Sequence, residues 1–108
     1  MAARSCGNLE QVREQIDALD QELVALLADR FAYARQAAAF KSSVADVPAP
    51  ERVARVIANV RRLAAEKGAP PDGVEAVYRA LIDAMIRLEL ELHEKKSPDP
   101  VPGAKNTL

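Results

Sequence analysis

The chain has 108 residues, 49% hydrophobic but only 4% aromatic, with 15 Lys and Arg against 16 Asp and Glu for a net charge of −1. That length predicts one domain, and an alanine-rich core is thin for a lone monomer, so a core shared with a second chain is a real option. Near-neutral charge without a basic block argues against nucleic acid as a partner, and no apolar run reaches the ~18 residues of a membrane span.

The first seven residues read as a disordered N-terminus. MAARSCGN has no apolar signal-peptide core, and Cys6 has no second cysteine to pair with. The expectation is a cytoplasmic chain with a free thiol.

Asn8 is a candidate N-cap. From it an apolar period runs through Leu9, Val12, Ile16, Leu19, Leu23, Leu26 and Leu27, predicting a helix to about Lys41 with no breaker. Helices that long in small domains pair lengthwise with another chain or lie across several helices. SSVADVPAP, residues 42–50, ends it, because Pro48 and Pro50 disfavour helix in the residues before them. Pro50 suits the first position of a second helix. That helix runs to about Lys67, with Val53, Val56, Ile57, Val60 and Leu63 on its buried face and Gly68 as its stop. A third helix covers roughly residues 72–95, with Val74, Val77, Tyr78, Leu81, Ile82, Met85, Leu88 and Leu92 inward. SPDPVPGAKNTL has too many prolines and too few apolar residues to fold, and residues 96–108 read as a disordered tail. The expectation is an all-α domain over residues 8–95, one helix long, one short and one medium.

Familiar catalytic motifs are missing. There is no glycine-rich phosphate loop, no CxxC and no nucleophile–base pairing. His93 falls about 100° from the apolar centre of the third helix, beside Glu94 and Lys95, and reads as a solvated surface residue rather than a metal ligand.

The informative residues are charges on apolar faces. At about 100° per residue, Arg30 and Lys41 project within the stripe of Val12, Leu19, Leu23 and Leu26. Glu89 falls within the arc of Tyr78, Ile82, Met85 and Leu92. Arg52 borders the Val53 face of the second helix, and Arg13 lies at the edge of the first helix's stripe. Any one of these alone reads as a snorkelling side chain or an internal salt bridge. Four cations and one carboxylate together suggest a site completed by a small polyanion. Arg30 and Lys41 are ~16 Å apart along a helix axis and could clasp a small molecule, whereas Arg13 is a further ~25 Å back. Arg13 can join the same site only from an antiparallel partner helix, so a homodimer would hold two equivalent sites mixing both chains.

These residues carry a family resemblance. VREQIDALDQELVALLADR followed by FK is similar to the long first helix of the all-helical, AroQ-class chorismate mutases. ERV after the proline turn and YRALIDAMIRLE in the third helix fit the same family. The resemblance spans about residues 8–94 and rests on spaced motifs: R-x-x-I-D-x-L-D, L-x-x-R, K and E-R. It implies three helices per chain interlocked as a homodimer. It also implies a cofactor-free, metal-free [3,3] rearrangement of the dicarboxylate chorismate to prephenate. By the same resemblance, Arg30 and Arg13 of the partner subunit bind the two carboxylates, and Lys41 hydrogen-bonds the ether oxygen that gains charge as its C–O bond breaks. Arg52 matches a further substrate-facing arginine. Val53, Met85 and Glu89 complete the substrate-binding set, with Lys41, Glu89 and Arg30 as the catalytic residues.

Two positions depart from the family pattern. Glu89 stands where many members have Gln, and a carboxyl group can donate to the ether oxygen only in its neutral form. The residue after Arg52 is Val53, where many mutases have Glu against the C4 hydroxyl of chorismate. There the VPAPERV run resembles the isochorismate-pyruvate lyases of salicylate and siderophore pathways, which share the fold and the cations. The expected activity is chorismate mutase, with isochorismate-pyruvate lyase as the alternative. A non-catalytic dimerisation or regulatory module is a third reading, which leaves the inward cations without a reason.

Overall fold

The computed structural model describes residues 3–96. Among them are three α-helices, α1 (Leu9–Phe40), α2 (Pro50–Lys67) and α3 (Pro71–Lys96), with a single 3-10 turn at Val44–Asp46 and no strand. The all-α expectation holds, and each helix end lies within about a residue of its expected place. The expected tail lies outside the described residues from 97 onward, and residues 3–7 carry no regular secondary structure.

Local chemistry accounts for the boundaries. Asn8 caps α1, its Oδ1 accepting the Gln11 N–H at 2.9 Å, while Gln11 Oε1 accepts the Gly7 N–H at 2.7 Å. This reciprocal pairing satisfies donors that the first helical turn leaves open. Pro50 opens α2 behind Ala49, whose φ of 38° is left-handed backbone. A Cβ there is strained by about 1–2 kcal/mol, and the short proline-flanked corner imposes it. Gly68 closes α2 with φ 80°, its N–H on the Ala64 carbonyl, and the Ala69 N–H reaches the same oxygen at 2.8 Å. Only glycine takes that conformation without steric cost.

Two compact units divide the chain within α1, Met1–Tyr33 and Ala34–Leu108. In the first, the apolar stripe of α1 has nothing over it: Ile16, Leu19, Leu23 and Leu26 are 48–66% exposed. In the second, α2 and α3 form an antiparallel hairpin. Its core is Ile57, Val60 and Ala64 of α2 with Met85 of α3. Full burial of each large aliphatic side chain is worth about 1.5–3 kcal/mol. Val77 was expected inward and is instead 65% exposed, because helical phase names a face and not what covers it. The hairpin's turn end carries an ion-pair cluster in which Arg61 bridges Asp72 and Glu75, and Glu75 also holds Arg79. Arg79 first and Arg61 second hold the Glu75 carboxyl below its ordinary value.

Candidate active site

Lys41 is the first residue past α1, and its backbone N–H still reaches the Ala38 carbonyl at 3.2 Å. Its Nζ donates to Glu89 Oε1 at 2.6 Å and to the Val47 carbonyl at 3.2 Å. The Glu89 residue is 6% exposed, and the Lys41 side chain is about a quarter exposed. Helical phase placed Glu89 inward, and it is the buried charged residue of the described chain. A carboxylate so placed needs a partner, and the short contact is that of a charge-assisted bond. Met85, one turn earlier on α3, is also buried.

A small folded turn supplies the other side of the Lys41 ammonium. Ser42 Oγ and Ser43 Oγ both donate to Asp46 Oδ2, at 2.8 and 3.3 Å. The Ser42 hydroxyl is the chief reason that the Asp46 carboxyl lies below its ordinary value; burial opposes it, and Ser43 adds to it. The next residue, Val47, is 1% exposed. Its carbonyl accepts from the Lys41 ammonium. Sequence periodicity missed Val47, since a three-residue turn has no period to read; an apolar residue directly before Pro48 was the available signal.

The remaining expected site residues are placed as follows. Arg13 is exposed and Arg30 half-buried, both on the α1 segment of the first unit. Arg52 is exposed in the first turn of α2, and Val53 beside it is half-buried. The geometry thus joins Lys41 to Glu89 directly. Arg13 and Arg52 are exposed within one chain.

His93 differs from its expected role as a solvated surface residue. It is half-buried, and its Nε2 lies 3.0 Å from the carbonyl oxygen of Ala38. The helical wheel put it off the apolar face of α3, but a wheel takes no account of another helix's terminal carbonyl. Among the described residues no three His, Cys, Asp or Glu side chains converge as a metal site would require. No described helix is long and apolar enough to cross a membrane.

The site is therefore an ammonium on a helix end, set against a buried carboxylate and a backbone carbonyl. Such a group can donate to an oxygen that becomes negative and needs no nucleophile beside it. The family model described as Chorismate mutase type II matches residues 12–90, which include Arg13, Arg30, Lys41, Arg52 and Glu89. The chain belongs to the type II chorismate mutase family.

Two relatives frame its place within the family. It is 39% identical over 86 residues to an isochorismate pyruvate lyase of Pseudomonas aeruginosa, covering 80% of this chain and 85% of that protein. It is 36% identical over 77 residues to the T-protein of Enterobacter agglomerans, covering 70% of this chain. The chain spans only 21% of that second protein.

Proposed function

We propose that this member of the family is a chorismate mutase, rearranging chorismate to prephenate without a cofactor. The observation that carries the reading is the Lys41–Glu89 pair, an ammonium held 2.6 Å from a carboxylate that is 6% exposed. A salt bridge formed for stability alone needs no such placement just past a helix end.

The chemistry is positional and electrostatic. Arg30 and Arg13 of the partner subunit take the two carboxylates through bidentate guanidinium contacts, with Arg52 at the rim and Val53 and Met85 as apolar wall. The exposed stripe of α1 is the surface that a second copy covers, which brings the partner's Arg13 into reach. Holding the flexible substrate in its folded conformer is worth up to ~7–11 kcal/mol. As the C–O bond breaks, Lys41 donates to the ether oxygen, an interaction of about 2.7–4 kcal/mol that exists only in the transition state. Glu89 orients the Lys41 ammonium through their 2.6 Å contact.

A second reading, isochorismate-pyruvate lyase, is favoured by Val53, which offers no polar group for the C4 hydroxyl of chorismate, and by the Pseudomonas relative. It uses the same cations. The test is to incubate purified protein with chorismate and, separately, with isochorismate, following prephenate, pyruvate and salicylate. Prephenate formation at the higher kcat/KM supports the mutase. Salicylate and pyruvate from isochorismate at the higher kcat/KM transfer the site to the lyase. Turnover of neither substrate refutes both.

A further inference from the structure

We propose that His93 is a positioning residue that fixes Lys41 by holding the carbonyl of Ala38, and with it the last turn of α1. Its consequence for turnover rests on the mutase reading above; the contact itself does not.

The geometry assigns the donor. Ala38 O can only accept, so the 3.0 Å contact requires the proton on Nε2 of His93. The same oxygen accepts the Lys41 backbone N–H at 3.2 Å, which uses both of its lone pairs. Ala38 is 3% exposed, and water has little access to replace the imidazole. The last carbonyls of a helix lack intrahelical partners and fray unless something holds them. Here the partner is a ring on α3.

The register makes the arrangement specific. Glu89 and His93 are four residues apart on α3, one turn along a single face. Glu89 takes the side chain of Lys41, and His93 takes the carbonyl three residues before it. One face of α3 thus grips both the ammonium and the backbone that carries it. Past Phe40 the chain leaves the helix, so the grip on Ala38 holds the carbonyl on which the Lys41 backbone N–H rests. Displacing a transition-state donor by ~1 Å can cost up to ~10²-fold in rate.

The test uses the full chain and three readouts. His93 is the single histidine, so 15N-labelled histidine reports its tautomer directly at about pH 8.5, where an ordinary imidazole is neutral. The expected result is Nε2–H; the Nδ1–H tautomer overturns the proposal. In His93→Leu the Lys41 amide should exchange with solvent at least ~10-fold faster while the Val60 amide is unchanged, and His93→Gln, which keeps a donor, should restore protection. Unchanged Lys41 exchange in His93→Leu overturns the proposal. On chorismate, His93→Leu should lower kcat ~10-fold with KM held within about twofold, and His93→Gln should recover most of that loss. Added to Lys41→Ala, His93→Leu should cost nothing further. Equal kcat in wild type and His93→Leu overturns the proposal. If His93→Leu does not fold, the wild-type tautomer and His93→Gln decide. If the wild type turns over neither substrate, the mutase reading falls, and tautomer and exchange alone decide the role of His93.

Discussion

Lys41 and Glu89 satisfy each other across 48 residues of sequence at 2.6 Å, and this pairing makes each residue's variant ambiguous when it is studied alone. Truncating Lys41 removes the proposed transition-state donor and also strands a buried carboxylate. Breaking a buried pair in this way costs about 3–5 kcal/mol at full burial, less here because Lys41 is partly exposed. Lys41→Ala should therefore lose both kcat, by at least ~10²-fold, and thermal stability. Adding Glu89→Gln removes the stranded charge. The double variant should regain much of the lost Tm and none of the lost kcat, as read by circular dichroism melting and chorismate turnover. Recovery of both would make Lys41 structural.

Acid should loosen the hairpin through Glu75. Its folded carboxyl lies below the ordinary value because of Arg79 and then Arg61. A depressed folded value means that the stabilisation is present above the ordinary carboxylate range and is lost as pH falls through the folded value. Tm should fall between about pH 5 and pH 3, and Glu75→Gln should show a shallower decline over that interval together with a lower Tm at neutrality. A variant with the wild-type acid slope would show that the cluster does not report on folding.

Helix boundaries were legible because each rests on a local signal: the Asn8 cap, the Pro48 and Pro50 corner, and the glycine stop at Gly68. Glu89 was legible by phase alone, since helical spacing from Ile82 and Met85 places it inward. His93 was not, because its partner is a carbonyl 55 residues away, and periodicity carries no information about the end of another helix. Val47 was read as linker although it is 1% exposed, since a three-residue turn offers no apolar period. Val77 had the correct phase and no partner over it within one chain. Arg13 and Arg52, expected at the edges of inward faces, are exposed.

The uncovered stripe of α1 predicts self-association. Light scattering at micromolar concentration should give about twice the mass of one chain. Arg13→Ala and Arg30→Ala should each be nearly inactive and regain activity when mixed and allowed to exchange subunits, because one hybrid site then has both arginines. A folded, active monomer, or no recovery after demonstrated exchange, would end the shared-site model.

The central claim is that Lys41 and Glu89 together form the charge-stabilising element of a pericyclic catalyst, and kcat on chorismate at one fixed near-neutral pH tests it most directly. Glu89 holds the Lys41 ammonium at 2.6 Å, and its negative charge opposes a dianionic substrate. Glu89→Gln removes that charge and keeps a hydrogen-bond donor for the ether oxygen. It should turn over at least as fast as the wild type, whereas Lys41→Ala should be at least ~10²-fold slower. A Glu89→Gln variant slower than the wild type, or a Lys41→Ala variant with wild-type kcat, would contradict the account.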